Sequence, residues 1–221
     1  HASLRKILGN HVSQKGSLVN DNKLRFDFSH HEPINSNDII KIENLVKSII
    51  KNNSKIQIQL IDHQKAIDEG AIALFGEKYE DEVRVVTMGH FENTFFSKEL
   101  CGGTHVEKTG DIIDFHIINQ SSVASGIRRI EALTNQSVKI YLTEQNKLNL
   151  QNKQNNLNKI DFLIKDIKIM QPDFNFTFEN NQDPEIILKE LRKIFEITSQ
   201  NINLEKNLQN IIKIKIKNIN F

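Results

Sequence analysis

The sequence has little cysteine or proline, no tryptophan and no long hydrophobic run. Of its 221 residues, one is cysteine and three are proline. A single cysteine cannot form an internal disulfide, which excludes a disulfide-stapled secreted domain and fits a reducing cytosol. No apolar stretch approaches the roughly 20 residues of a membrane-spanning helix. The net charge of +1 excludes a globally basic surface, so any contact with nucleic acid has to come from local arginine and lysine clusters.

The most informative residues lie in one short segment. Cys101 is followed by His105 across Gly102 and Gly103. Thiolate and imidazole are preferred zinc ligands, and glycines let the backbone bend so that both side chains face one point. This spacing supplies only half of a four-ligand site, and a lone cysteine is most often a small buried hydrophobe. The spacing alone therefore leaves both interpretations open.

The hydrophobic periodicity predicts an α+β fold. A hairpin is expected where Ser17–Val19 and Leu24–Phe28 flank a polar turn, and a capped helix is expected to follow Asn35. Further elements are a helix over about 63–74 and strands over about 56–60, 83–88, 111–119 and 127–133. Because strands and helices mix without βαβ repetition, we expect a largely antiparallel sheet with packed helices.

The composition changes after about Ser137, which predicts a second region over 138–221. Glycine and proline are absent from Val138 to Ile169, where a short, imperfect heptad pattern is typical of a long helix or coiled coil. A break at Pro172 and a helix start at Pro184 predict an antiparallel helical hairpin. This tail is also a candidate for self-association. The alternating segment 212–217 predicts either an edge strand or a frayed basic tail.

Five phrases, taken in order along residues 1 to about 145, resemble the editing domain of alanyl-tRNA synthetase and its free-standing relatives. They read HASLRKILGNHVSQKGSLV from His1, LRFDFSH from Leu24, LCGGTHVEK from Leu100, TGDI from Thr109 and GIRRIEALT from Gly126. Beyond them, only a general similarity to the family's helical linker remains. The resemblance places an editing domain at residues 1–137 and a helical linker at 138–221.

The resemblance implies hydrolytic editing of mischarged tRNA(Ala), with seryl-tRNA and glycyl-tRNA as substrates and the tRNA acceptor end as partner. It also implies a cytoplasmic ligase whose ATP-dependent part lies elsewhere in a longer product, since the chain begins with His1 and not with methionine. Two alternatives stay open at this point. One is a free-standing deacylase that acts in trans, and the other is a catalytically inactive tRNA-binding fragment.

The family's zinc site implies that Cys101 and His105 are metal ligands. In the family, two further ligands come from an HxxxH phrase, which we expect to precede residue 1. His1 resembles the next histidine along and not a member of that pair. Six other histidines could in principle substitute, although an ordinary surface or core role suits each of them better: His11, His30, His31, His63, His90 and His116.

The resemblance also implies the residues of the pocket. A glutamine matching Gln14 is linked in the family to serine recognition, and an amide can both donate to and accept from a hydroxyl. The catalytic candidates are Gln14, Gly102, Gly103 and Thr104, and the substrate-binding candidates are Ser17, Arg128 and Arg129. The two arginines adjoin in a predicted strand, so only one can face the site, while the other meets phosphate or an acid such as Glu131. Asp27 is a candidate to orient a ligand histidine.

Overall fold

The computed structural model describes residues 1–73, 79–91, 94–179 and 181–219, with backbone alone for Phe91 and residues 210–219. The chain forms two compact units, His1–Leu142 and Thr143–Phe221. Over the described ranges, no helix is both long and apolar enough to cross a membrane. In chain order the elements are α1 Ala2–Leu8, β1 Gln14–Val19, β2 Leu24–Ser29, α2 Ser36–Lys51, β3 Gln57–Asp62, α3 His63–Asp68, β4 Glu82–Phe91, β5 Thr94–Leu100, a 3₁₀ turn Thr109–Ile112, β6 Phe115–Ala124, β7 Ile127–Thr134, α4 Gln136–Met170 and α5 Pro184–Ile219.

Two antiparallel sheets form the first unit, which confirms the predicted α+β class. The order of the strands is β1-β2-β7-β6 in one sheet and β3-β4-β5 in the other. In β2, apolar Phe26 and Phe28 alternate with Arg25 and Asp27. This alternation turns the phenylalanines toward a buried core with α1 and α2, and Phe28 is completely buried there.

Helix α2 has a side-chain cap at its start and a hydrogen bond to the 3₁₀ turn near its end. The Asn35 side chain accepts a hydrogen bond from the Asp38 amide at 2.9 Å, as the sequence predicts. Near the helix end, the Ile49 carbonyl accepts a hydrogen bond of 2.9 Å from the hydroxyl of Thr109. Because Thr109 begins the 3₁₀ turn that follows the Cys101–His105 segment, this bond fixes the far end of that segment.

Three elements of the first unit differ from the sequence prediction. Strand β5, which leads directly into Cys101, is absent from the prediction. Strand β6 begins at Phe115 and not at 111, because the 3₁₀ turn occupies the residues before it. Helix α3 ends at Asp68, since Gly70 adopts a left-handed backbone with φ of 81° that stops the helix. The predicted end at Leu74 lies outside the described residues.

In the second unit, α4 and α5 run in the same direction, so the expected antiparallel arrangement is wrong. Leu157 lines a recess with Pro184, and the hydroxyl of Ser199 donates to the Met170 sulfur at 3.5 Å. The connecting segment explains the difference, because it returns along the helices in extended form. Three phenylalanines at every second position pack on the helices' buried core: Phe174, Phe176 and Phe178. The backbone of 212–217 is helical, so the edge-strand interpretation is also wrong.

Candidate functional site

Cys101 and His105 converge at the end of β5. The Cys101 sulfur lies 3.3 Å from Nε2 of His105. The Cys101 amide donates a hydrogen bond of 3.0 Å to the Arg84 carbonyl, which fixes the start of the loop against β4. Cys101 is half-buried, whereas His105 is exposed as a whole residue. The structure therefore brings together the two side chains that the sequence nominates as metal ligands.

The donor set fits half of a zinc site. A thiolate and an imidazole nitrogen match the preferences of zinc, but a structural site needs four ligands. Among the described residues, no group of three or more His, Cys, Asp or Glu side chains is arranged to hold a metal. Partial desolvation, followed by the charge of Arg84, lowers the pKa of His105. This shift of the pKa favours the neutral ring, which is the form that binds a metal.

Glu99 and His1 are in hydrogen-bond contact beside this loop. His1 Nδ1 lies 2.8 Å from Oε2 of Glu99, and the Ser97 hydroxyl donates to the other carboxylate oxygen at 2.8 Å. Burial alone would raise the pKa of Glu99. The bond and charge of His1, with smaller contributions from Ser97 and Arg5, outweigh that effect and lower the pKa. Glu99 is therefore a half-buried carboxylate with a partner on each oxygen, which the sequence analysis missed together with β5.

Two cavities lie beside Cys101, and both are lined by Cys101, Gln14 and Glu99. The first, of about 280 Å³, is mainly apolar, and His105 contributes to its lining along with Val86, Ile49 and Phe96. The second, of about 480 Å³, is more open and is lined by Arg84 and Gly102. None of the six other histidines lines either cavity in the described part of the chain. The predicted pocket residues Ser17, Gly103 and Thr104 are exposed and line neither cavity.

Gln14 is the predicted pocket residue that reaches both cavities. It begins β1, where a register shift between Gln14 and Gly16 marks an irregularity in the pairing with β2. Its side-chain amide donates to the Ser17 hydroxyl at 3.3 Å. This hydrogen bond connects exposed Ser17 to the pocket through Gln14.

The adjacent arginines point to opposite faces of the sheet. Arg129 makes two hydrogen bonds to the buried Asp27 carboxylate, at 2.6 and 2.7 Å. Arg128 pairs in register with Phe28, which in turn pairs with Gln14, so Arg128 shares the face of Gln14. The Arg128 Nε atom is buried without a hydrogen-bond partner among the described residues. Of the two arginines, Arg128 is therefore the one on the side of the candidate site.

The structure pairs Asp27 with Arg129, and among the described residues Asp27 has no hydrogen bond to a histidine. Its register position opposite Arg129 commits both of its oxygens to that guanidinium. Glu131, which the sequence offered as an arginine partner, instead accepts hydrogen bonds from Lys23 and Asn119. Cross-strand register decides these pairings, and register is not readable from the arginines and acids alone.

We expect Asp27 to make stability depend on acid pH. The hydrogen bond from Arg129 is the main cause that lowers the pKa of Asp27 from 3.8. As the pH falls, Asp27 therefore takes up a proton at a higher pH in the unfolded chain than in the native state. Its contribution to the free energy of unfolding is complete above about pH 5. It is lost as the pH falls through 3.8 toward the lower folded value. The stability gap between the wild type and Asp27→Asn should therefore narrow on acidification in urea titrations, and a constant gap from pH 6 to pH 2 would contradict this.

Comparison with known proteins shows what the segment that contains Cys101 and His105 is similar to. Residues 83–131 match the family model described as the threonyl and alanyl tRNA synthetase second additional domain. An alanine--tRNA ligase of Nitrosomonas eutropha is 54% identical over 145 residues, which is 66% of this chain and 16% of the relative, and that of Nitrosomonas europaea gives the same values. The enzyme of Parvibaculum lavamentivorans is 49% identical over 151 residues, 67% of this chain and 17% of the relative. The chain thus spans about one sixth of the length of these curated relatives.

Proposed function

Since two thirds of this chain is homologous to a segment of alanine--tRNA ligases, we propose that it is the editing part of such a ligase. In this proposal it hydrolyses the ester bond of seryl-tRNA(Ala) and glycyl-tRNA(Ala). The observation that carries the proposal is the 3.3 Å approach of the Cys101 sulfur to His105 Nε2, beside two cavities that share Gln14.

The chemistry of alanine selection explains the need for a second site. A pocket that accepts alanine cannot strongly exclude glycine, which is smaller, and it discriminates poorly against serine, which adds only a hydroxyl. An aminoacyl ester is already activated, so modest catalysis suffices to hydrolyse it. The site needs a positioned water, donors for the developing oxyanion and a test of the side chain.

Cys101 and His105 would hold a zinc ion, with the two remaining ligands expected from the histidine pair that the resemblance places before residue 1. When bound, zinc supplies Lewis-acid polarisation of a water or an anchor for the amino or hydroxyl group of the substrate. The lowering of the His105 pKa supports this role because it favours the neutral ring, which has a lone pair available.

Gln14 would recognise the side chain of the substrate, and the backbone of the Cys101–His105 segment would stabilise the reacting ester group. Gln14 lines both cavities, and its amide can exchange hydrogen bonds with a seryl hydroxyl. The apolar walls of the smaller cavity would exclude bulk water from that contact. The amides of Gly102, Gly103 and Thr104 would donate to the developing oxyanion. Ser17 would act through its hydrogen bond with Gln14.

The acceptor end of tRNA(Ala) would approach on the face that carries Arg128. The guanidinium of Arg128 would meet phosphate or sugar oxygens there, whereas Arg129 lies on the opposite face, where two of its N–H groups donate to Asp27. We place the protein in the cytoplasm, where aminoacyl-tRNA is made. Self-association through the helical tail stays a prediction, and exposed apolar residues of α5 such as Leu204 and Leu208 are compatible with it.

Hydrolysis of seryl-tRNA(Ala) by the full-length gene product tests the proposal. We expect deacylation about 10²-fold or more above the spontaneous rate, with alanyl-tRNA(Ala) left nearly intact. A full-length protein that forms alanyl-tRNA would favour the ligase over a free-standing deacylase. A zinc-loaded protein that leaves seryl-tRNA at the spontaneous rate would contradict the proposal and leave the tRNA-binding alternative.

We expect Gly102→Ala to lower editing without lowering stability. An added Cβ at Gly102 meets no atom within 4 Å, and the backbone of Gly102 is not left-handed. The fold therefore tolerates alanine, and the new methyl group would obstruct only the approach of the ester. Deacylation should fall about tenfold or more, with the free energy of unfolding within about 0.5 kcal/mol of the wild type.

Gly89→Ala is the matched control for the stability measurement on Gly102→Ala. Gly89 has a φ of 70°, and its added Cβ would lie 2.7 Å from Cγ2 of Ile49. This substitution should lower stability by more than about 1 kcal/mol. If Gly102→Ala kept the full deacylation rate, the loop backbone would not contact the substrate as proposed.

A further inference from the structure

Arg84 contacts the Cys101 loop with both its main chain and its side chain. Its carbonyl accepts the Cys101 amide at 3.0 Å. Its Nη1 atom donates to the carbonyl oxygens of Cys101 and Gly103, the latter at 2.9 Å. The neighbouring pairing of Val85 with Leu100 fixes the strands on which this contact is built. One residue of β4 thereby holds both ends of the Cys101–Gly103 stretch.

The loop has few other anchors. Gly102, Gly103 and Thr104 are exposed, and within the described ranges no other hydrogen bond to the backbone of these three residues is found. The two glycines have no side chains to restrict their backbone, so the loop has little conformational preference of its own. Hydrogen bonds from a charged guanidinium are stronger than neutral ones. The geometry of the loop therefore depends on Arg84.

We propose that Arg84 is a positioning residue for the editing reaction: it fixes the peptide planes of the loop and thereby the approach of the Cys101 sulfur to His105. The inference rests on the proposed function and deepens it. A trans peptide is planar, so a carbonyl held toward Arg84 turns the next amide to the opposite side. Arg84 consequently sets the directions of the Gly102 and Thr104 amides, which are proposed donors to the oxyanion.

The test compares Arg84→Met and Arg84→Lys in the full-length protein. Arg84→Met should lower kcat for seryl-tRNA(Ala) about 10²-fold at nearly unchanged KM, because misplacing a reactive group by about 1 Å has an effect of this size. Arg84→Lys should recover part of the rate, since its ammonium nitrogen can donate to both carbonyls although its side chain is shorter. Arg25→Met is the matched control: Arg25 is a half-buried strand arginine away from both cavities, and its loss should leave kcat unchanged.

A second readout does not need editing activity. Cys101 is the sole cysteine of these 221 residues, and iodoacetamide labelling of the metal-free full-length protein, quantified on the peptide that contains Cys101, reports on this loop alone. Arg84→Met should label several-fold faster than the wild type and than Arg25→Met, at a temperature where all three are folded. Equal labelling rates would overturn the inference. So would a rise in KM without a fall in kcat for Arg84→Met, or a kcat for Arg84→Lys no higher than that of Arg84→Met. If the wild type fails to deacylate seryl-tRNA, the proposed function fails, while the labelling rates still decide the role of Arg84.

Discussion

Cys101→Ala is expected to reduce deacylation of seryl-tRNA(Ala) by about 10³-fold. Loss of the thiolate removes one of the two proposed metal ligands of this chain, and a bound metal contributes several kcal/mol to stabilising charge in the transition state. The half-buried side chain is small, so the fold should survive the change. Steady-state hydrolysis of 3′-labelled seryl-tRNA, with zinc measured on the same preparation, checks the expectation.

Two neighbouring variants make this experiment specific. His105→Ala removes the second donor, 3.3 Å from the Cys101 sulfur, and should cause a similar loss of rate and of bound zinc. Val106→Ala changes an exposed apolar residue directly after His105 and should leave both quantities unchanged. If Cys101→Ala retained both its zinc and the full rate, the Cys101 sulfur would not be a metal ligand.

Phe28→Ala is expected to have the largest effect on stability. Phe28 is completely buried in the core of the first unit, between the rings of Phe26 at 6.1 Å and His30 at 6.3 Å. Truncating a buried phenylalanine costs about 3–5 kcal/mol, because the cavity that it leaves collapses only in part. That is a large share of the roughly 5–15 kcal/mol by which a typical protein is stable.

Urea unfolding followed by far-UV circular dichroism measures the loss, since the chain has no tryptophan to report by fluorescence. Phe28→Leu should have an intermediate effect because it retains part of the buried volume. Val19→Ala is the control: Val19 is 76% exposed in β1, and the change should stay within about 0.5 kcal/mol. A loss below about 1 kcal/mol for Phe28→Ala would show that β2 does not face the core as described.

Local signals in the sequence predicted the elements that depend on local interactions. The polar turn between β1 and β2 and the Asn35 cap of α2 each act within a few residues, and both are confirmed. Both need no knowledge of distant strands. Cys101 and His105 are close in sequence and could therefore be nominated as a pair, but the contact that fixes their loop comes from Arg84 on β4.

The features that sequence reasoning missed depend on contacts between distant segments. The ion pair of Asp27 with Arg129 and the contact of Arg84 with the Cys101 loop arise from strand register. Strand β5 was missed because Phe95, Phe96 and Ser97 do not alternate cleanly between apolar and polar residues. In the second unit, the shared direction of α4 and α5 follows from the extended return of the phenylalanine-rich segment, which a helical pattern cannot reveal.

Cobalt(II) absorption of the full-length protein is the most direct test of the central claim, that Cys101 and His105 bind one metal ion. Cobalt replaces zinc in such sites, and a bound thiolate gives it an intense near-ultraviolet charge-transfer band. We expect one equivalent of cobalt to produce this band in the wild type, to lose it in Cys101→Ala and to shift the visible bands in His105→Ala. A wild type without the band, or a band that persists in Cys101→Ala, would contradict the account.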